Sequence, residues 1–492
     1  MKREELHVPR QGVLIESDKS RVIIKPFMPV SPSSPGYAAR MKGLLKRTAD
    51  LTDEEAQIIL DNVFVEFRNR HRDLEGVFGL RYEQIKNLLS PRYQPSKTKR
   101  LLMGSYFTCE YSLEAAALFN PSIVPHYDQS GLKPGALRFI MSLRATGEGH
   151  ISSIEFRTGI IDKKGEISLD AASKFVTTPT LNPNPIIESS EFLGKLQDEH
   201  CLNSSTKEIV GSFGATFTRF HLLARIARFK KRHKKLSAVQ RRSVDLLESL
   251  VELNYEINFS EQLPLSERAI YPISSFEING IEDARFVRFV NDNGGITYYA
   301  TYTAYNGKSI MPLLLETVDF SRFRINSLSG EAAKNKGMAL FPRKVNGRYT
   351  MISRQDGENL FIAFSDNAHQ WKDPVALMRP TYHWEFTQIG NCGSPIETGK
   401  GWLLLTHGVG PVRKYCIGAV LLDIHNPAKV IGRLKEPLIA PDESEREGYV
   451  PNVVYTCGAI KHNGRLIIPY AMSDHATRFA SVSVDELLEK MR

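Results

Sequence analysis

After Tyr255 the chain reads almost entirely as short strands, and that run limits the fold more than any other feature of the sequence. The segments ARFVRFV (284–290), TYYATYTAY (297–305), RYTMISR (348–354), NLFIAFS (359–365), GWLLLTH (401–407), CIGAVLLD (416–423) and RLIIPYA (465–471) are rich in aromatic and β-branched residues. Gly, Asn, Asp or Pro separates most of them. Several neighbours have hairpin spacing; between FPRKV and RYTMI, Asn346-Gly347 has the composition of a type I′ turn. Consecutive hairpins of this kind build a sandwich, a barrel or a propeller, and without an exact repeat the periodicity leaves the choice open.

Two helical blocks interrupt the β pattern. The first runs from about Tyr37 to Leu102. In it Thr52-x-x-Glu55 has the form of a capping box, and Ala56, Ile59, Leu60, Val63, Phe64 and Phe67 make one apolar stripe. The second runs from about Ser190 to Leu253, with Ser237-x-x-Gln240 ahead of Val244, Leu247 and Val251. Strand-like sequence at 136–162 lies between the blocks. The simplest organisation is a helical N-terminal extension over 1–109, a first β part over 110–180, a helical insertion over 181–254 and the remainder of the β domain over 255–492.

Charge is concentrated rather than spread. The 492 residues carry a formal net charge of +9, yet residues 219–242 alone hold ten Lys and Arg and no acid, so the rest of the chain nets −1. Phe220, Leu223, Ile226 and Ala227 stand at helical spacing inside this run, which predicts one packed side and one solvated side. Nucleic acid is not the expected partner despite this basic helix; an oligomer contact through the helical segments fits as well. No stretch approaches the roughly 18 apolar residues of a membrane span, so an integral membrane protein is not expected. MKREELHVPRQGVLIESDKS lacks the apolar core of a signal peptide. Cys109, Cys201, Cys392, Cys416 and Cys457 form no C-x-x-C pair, which argues against a disulfide framework or zinc ribbon and suits a reducing, cytoplasmic setting.

Motifs for nucleotide phosphates, zinc proteases and serine hydrolases are missing, and Gly147-Glu148-Gly149-His150 is read as a glycine-rich turn. The polar residues that stand out lie at strand ends: Asp283, Arg354, Glu397, His407, Glu445, Glu447 and Asp474. Carboxylates gathered at one end of a β domain suit glycoside chemistry, in which one acid protonates the leaving oxygen while a base or an anion attacks the opposite face of the sugar.

Larger motifs add to this picture. Ser365-Asp366 followed by Trp371 resembles the blade ends of sugar-active propellers. Phe119-Asn120-Pro121, Arg144, the run Gly280-Ile281-Glu282-Asp283-Ala284-Arg285, Tyr302-Thr303-Ala304-Tyr305, Leu340-Phe341-Pro342 leading to Arg354, Gly401-Trp402-Leu403 ending at His407-Gly408-Val409, Glu445 to Asn452, and Tyr470 to Asp474 occur in this order. Together they resemble glycoside hydrolase family 130, whose members act on β-mannosides. The resemblance covers about 110–165 and 255–492. It implies a five-bladed β-propeller that is mainly β, with the helical extension and insertion outside it, and an inverting enzyme that needs neither metal nor organic cofactor.

By the same resemblance Asp283 is the general acid, acting through a hydroxyl of the bound mannoside. Asn120, Arg144 and Asp474 hold the mannose, with Tyr302 in contact with it. The neighbouring Glu282 is expected to raise the pKa of Asp283 and keep it protonated. Ala284 stands where the family usually has Pro, which loosens the expected turn. The family divides into hydrolases and phosphorylases, the latter marked by basic residues around inorganic phosphate. Lys336 and Arg354 match two such positions and His407 lies near them. A third, usually Lys, is Glu397. A carboxylate there would repel phosphate, by about 4 kcal/mol for unit charges 4 Å apart at an effective dielectric of ~20. Glu397 is therefore the expected base of a hydrolase, with Glu445 or Glu447 in reserve, acting on short, β-1,2-linked mannooligosaccharides. The alternatives are a phosphorylase, with inorganic phosphate as co-substrate and mannose 1-phosphate as product, and a glycan-binding propeller without catalysis.

Overall fold

The computed structural model of the chain describes residues 6–31 and 33–491. It is mainly β, with nine α-helices among the described residues. Contacts divide it into two compact units, one comprising Met1–Ser17, Ala116–Ala172 and Thr178–Arg492, the other Asp18–Ala115 and Ser173–Thr177.

The larger unit contains five antiparallel sheets of four or more strands and a two-stranded one of Ile186–Glu188 and Thr216–Thr218. Sheet I begins with Ala117–Pro125, Leu137–Thr146 and Ser152–Ile161, and sheet II with Ile281–Val290, Ile296–Tyr305 and Ile310–Thr317. Sheet III is Ala339–Leu340, Tyr349–Ser353, Leu360–Ser365 and Val375–Met378. Sheet IV takes Gln388–Asn391, Gly401–Val409, Tyr415–Leu422 and Val430–Arg433 in that order. Sheet V takes Val454–Tyr455, Arg465–Met472 and Ala476–Ser483, and its outer strand is Arg10–Ile15, from the other end of the chain. That strand falls inside the stretch expected to be helical extension. Only pairing with Ala476–Ser483 makes it a strand, a contact that no local pattern in RQGVLI announces.

Each sheet packs on the next. Phe156 and Ile140 of sheet I meet Phe286 and Tyr298 of sheet II. Val287 and Phe289 meet Leu340 and Met351 of sheet III, and Phe341 and Ile362 meet Trp402 and Leu404 of sheet IV. Leu405 and Ile417 meet Leu466 and Ile468 of sheet V. Finally Ile467 and Phe479 of sheet V meet Phe139 and Met141 of sheet I, so the last sheet packs back on the first. Strands such as Ala117–Pro125 and Gly401–Val409 are buried almost without a break, as in a sheet covered on both faces. In every sheet the start of the first strand and the turn between the second and third lie at the same end, because neighbouring strands run antiparallel. Asn120, Arg144, Asp283, Lys336, Arg354, His407 and Asp474 lie at or just beyond that end.

The turn at Asn346-Gly347 has both residues at positive φ, 52° and 80°, with Val345 paired to Arg348, as a type I′ hairpin requires. The helical insertion leaves and rejoins the outer edge of sheet II, where Thr180–Leu181 and Tyr255–Asn258 are strands. Within it, helices α5 (Ser189–Asp198), α6 (Ser204–Val210), α7 (Arg219–Arg232) and α8 (Ala238–Leu253) enclose their own core. The capping box at Ser237 and Gln240 starts α8. On α7 the buried stripe is Leu222, Ile226 and Phe229, while Phe220 is 54% exposed. The i, i+4, i+7 spacing thus runs from Leu222, and Phe220 in the first turn falls outside it.

In the smaller unit α1 (Tyr37–Ala49), α2 (Asp53–Phe67), α3 (Leu74–Ile85) and α4 (Lys97–Ser105) pack beside a two-stranded sheet of Val22–Pro26 and Thr108–Ser112. Thr52 and Glu55 make the expected capping box of α2.

Candidate active site

The first strands of sheets I and II carry the same irregularity. Between Phe119 and Ser122, and again between Glu282 and Arg285, two residues oppose one on the neighbouring strand. Asn120 and Asp283 occupy these bulges with φ of +49° and +54°. Positive φ is costly for a side chain with a Cβ, and a bulge re-aims the side chain it carries. Here both are turned onto each other: Asn120 Nδ2 donates to Asp283 Oδ1 at 2.7 Å. The backbone N–H of Phe286 donates to Ser122 Oγ at 3.0 Å, which pins one bulge to the other. Pro121, which has no N–H to lose, suits the unpaired position. Ala284 is buried in the core between sheets I and II, and the Arg285 guanidinium donates to the Asp283 carbonyl at 3.0 Å. The turn is thereby held without the proline.

Around Asp283 the charges alternate. Arg144 Nη1 lies 3.4 Å from Asp283 Oδ1 and its Nη2 2.8 Å from Glu282 Oε1, while Nε donates to Ser152 Oγ at 2.9 Å. Lys336 reaches Glu282 at 3.8 Å. Arg285 also donates to the hydroxyl of Tyr455. Arg354 Nη1 donates to His407 Nε2 at 3.2 Å. A Cβ on Gly390 would lie 2.2 Å from the His407 ring and 3.0 Å from Arg354, so glycine is what lets both side chains lie against that strand. Asp474 sits in the turn of sheet V at φ +50°.

The protonation states follow from this crowding. Burial by itself would raise the Asp283 pKa; the cations Arg144, Arg285 and Lys336 and the Asn120 amide outweigh it, and the carboxyl is held below its usual range. The expectation that Glu282 keeps Asp283 protonated is therefore corrected: Glu282 is bound by Arg144 and Lys336, and the cations dominate. Burial and then the charge of Asp283 push Asp474 up to about 6, against the pull of Arg144 and Arg413. Burial and the adjacent Arg354 and Arg285 drive His407 far down, so it is a neutral acceptor for Arg354. Buried polar atoms at this end without a hydrogen-bond partner among the described residues include Asn120 Oδ1, Arg285 Nε, Arg354 Nε and Asn391 Oδ1. Buried polar atoms are rarely left so, and four together suit a polar ligand.

Thus Asn120, Arg144, Asp283, Lys336, Arg354, His407 and Asp474 are brought to one region. Other expected residues are not. Glu397 is 44% exposed and bound by Arg343, Nε to Oε2 at 2.9 Å and Nη2 to Oε1 at 2.7 Å. It belongs to the short hairpin of Ile396–Thr398 and Gly401–Leu403, and the charges that act on it are those of Arg343 and Lys461. Its expected part as base beside Arg354 or Lys336 is corrected accordingly. Tyr302 is buried, with its hydroxyl 2.8 Å from Glu277 and 3.3 Å from the Tyr255 hydroxyl. Glu445 is fully buried, binds the Tyr470 hydroxyl, and lies 3.6 Å from Arg10 and 4.0 Å from Arg478. Glu447 is exposed on the loop ahead of Val454. Sequence reasoning missed Arg285, Tyr455 and Asn391 as members of the site. Arg285 was visible in the Glu-Asp-Ala-Arg run, but only as a partner for Asp283.

The site thus sets two carboxyls of divergent proton affinity beside clustered guanidinium groups. Residues 197–492 match the family model of glycoside hydrolase family 130, described as beta-1,4-mannooligosaccharide phosphorylase, and the chain belongs to that family. A 1,2-beta-oligomannan phosphorylase of Thermoanaerobacter sp. is 35% identical over 219 residues, 43% of this chain and 71% of that protein. A beta-1,2-mannobiose phosphorylase of Listeria innocua is 30% identical over 230 residues, 45% of this chain and 63% of the relative. The matched part thus spans less than two thirds of the Listeria protein. Among solved structures, the beta-1,2-mannobiose phosphorylase of Listeria innocua bound to beta-1,2-mannobiose aligns over 77% of this chain and 93% of its own, with 21% identity and a TM-score of 0.47.

Proposed function

We propose that the five sheets are the blades of a five-bladed β-propeller and that the chain is an inverting β-mannoside phosphorylase acting on short mannooligosaccharides. The observation that carries this is the set of cations at Asp283: Arg285, Lys336 and Arg354, with Arg285 Nε and Arg354 Nε both buried and unpartnered among the described residues. Guanidinium groups with free N–H donors are suited to phosphate oxygens. The hydrolysis expected from the sequence rested on Glu397 as base, with Glu445 or Glu447 in reserve, and Glu397 is engaged by Arg343.

In this mechanism Asn120, Arg144 and Asp474 hold the mannose. A phosphate oxygen attacks the anomeric carbon, the C1–O bond breaks with its electron pair going to the bridging oxygen, and that oxygen takes a proton passed from Asp283 through a hydroxyl of the sugar. Asp283 is ionised in the free site because cations surround it. A phosphate dianion placed on Arg285, Arg354 and Lys336 offsets those charges and raises the proton affinity of Asp283, so the anion that attacks also readies the acid. The proton that phosphate and solvent supply ends on the leaving sugar, and mannose 1-phosphate carries the phosphoryl group away.

The test is incubation with β-1,2-mannobiose, and in parallel its β-1,4 isomer, with and without inorganic phosphate. Mannose 1-phosphate formed only when phosphate is present is the expected result. Mannose released equally without phosphate would return the enzyme to the hydrolases.

A further inference from the structure

One feature at the same end of the sheets has no part in this chemistry. Tyr449 is 49% exposed, and its hydroxyl lies 3.0 Å from His150 Nδ1 with the two rings 5.6 Å apart. Both side chains are held in place. His150 has φ +62°, and its turn leaves the strand just past Arg144 and returns at Ser152, whose hydroxyl Arg144 binds. The flanks of Tyr449 are fastened to the turn that carries Asp474. The Val450 N–H donates to the Ser473 carbonyl at 3.0 Å, and a Cβ on Gly448 would lie 2.4 Å from that same carbonyl. Ser473 Oγ in turn donates to the carbonyl of fully buried Glu445 at 2.7 Å. An exposed aromatic pair thus bridges sheets I and V between the anchors of Arg144 and Asp474.

Its placement has a stereochemical meaning. The cations suited to phosphate come from sheets II and III: Arg285, Lys336 and Arg354, with the neutral His407 of sheet IV behind Arg354. In an in-line displacement the leaving group departs opposite the attacking oxygen. The Tyr449–His150 pair stands instead at the turns of sheets I and V next to Arg144 and Asp474, not on the strands that carry those cations. The face of an aromatic ring carries negative charge density and attracts the C–H groups of a pyranose, while a hydrogen-bonded partner fixes its angle. His150 Nε2 makes no hydrogen bond among the described residues and can serve a sugar hydroxyl.

We infer that Tyr449 and His150 form the wall of the subsite for the departing sugar, with Tyr449 stacking on a pyranose ring and His150 binding one of its hydroxyls. This rests on the phosphorolysis proposed above. It makes the pair a determinant of which sugar leaves and, in the reverse direction, which sugar accepts mannose from mannose 1-phosphate.

The experiment compares Tyr449→Ala, Tyr449→Phe and His150→Ala with the parent in both directions. Tyr449→Ala is expected to raise KM for mannobiose and for acceptor mannose at least tenfold, with KM for phosphate and mannose 1-phosphate within twofold and the melting temperature unchanged. Tyr449→Phe keeps the ring and should lose severalfold; His150→Ala should weaken the acceptor without touching phosphate. Equal losses for phosphate and acceptor, or no loss for either, would overturn the assignment. Calorimetric titration with mannobiose separates the two levels of inference. Should the parent bind the disaccharide but not turn it over, phosphorolysis falls while loss of binding in Tyr449→Ala still supports the wall; a parent that binds no mannoside, or binding unaffected by Tyr449→Ala, removes it.

Discussion

Asp283 and Asp474 are two carboxyls in one region whose surroundings push their pKa values apart, the arrangement that assigns acid–base roles. For Asp474, raised to about 6 in the fold, the protonated form is favoured by folding. Its stabilising contribution is complete below the unfolded value near 4 and is lost as pH rises through about 6. Asp474→Asn should therefore be more stable than the parent at pH 7.5, by on the order of 2–3 kcal/mol, with the difference gone by pH 4; urea unfolding at the two pH values measures it. Asp283→Asn should abolish turnover and leave mannobiose binding intact, whereas a non-catalytic propeller would show little change. Since the active form of Asp283 is protonated, activity falls on the alkaline side as it ionises, and saturating phosphate should move that fall to higher pH. Comparison of kcat profiles at high phosphate with kcat/KM for phosphate reads the shift. None of this was legible from neighbouring letters. Glu282 beside Asp283 suggested a raised pKa; of the cations that reverse the sign only Arg285 is near in sequence, while Arg144 and Lys336 come from distant parts of the chain.

Single elements explain which side chains the sequence misplaced. In Ile296–Tyr305 side chains alternate between faces, so Tyr298, Ala300, Tyr302 and Ala304 all enter the core shared with sheet I. Thr301 faces the other way, its hydroxyl donating to the Met338 carbonyl. Tyr302 was expected to touch the mannose, but the period of two sends its ring into that core, where its hydroxyl binds Glu277. Glu277 accepts the Tyr255 hydroxyl at 2.9 Å and the backbone N–H groups of Ile273 and Ser274 at 3.0 and 2.9 Å. Its own carbonyl accepts the Gly280 N–H at 2.7 Å, just ahead of Asp283. Gly280 is at φ +119°, with Ser152 N 2.6 Å from where a Cβ would be. Tyr302→Phe removes a hydrogen bond to a buried carboxyl and should cost about 1.5–3 kcal/mol of stability, read by chemical denaturation, with KM for mannoside within threefold. Glu397, at the far edge of its hairpin, gives the opposite expectation. Glu397→Gln should keep kcat within a few-fold, and a loss of a hundredfold would restore it to the site.

At the scale of the molecule, the β character and the helical insertion were readable because hairpins and amphipathic helices are local patterns. The packing of sheet V on sheet I was not, since it depends on Arg10–Ile15 meeting Ala476–Ser483 across almost the whole chain. RQGVLI contains too few β formers to declare itself. Removing residues 1–17 would leave the strand Ala476–Ser483 as an open edge, a template for pairing with other chains. The truncated protein should melt several degrees lower and scatter light on mild heating, while a variant shortened only to residue 9 should not.

That long-range pairing also sets an order of events during synthesis. The strand at residues 10–15 leaves the ribosome long before its partner at 476–483 is made. At about 5–20 residues per second, the early strand waits on the order of half a minute to a minute and a half with its backbone groups unpaired. Throughout that time sheets I to IV can form in succession, but the seam between the two ends stays open. Until residues 476–483 arrive, the early strand is the one exposed to wrong partners.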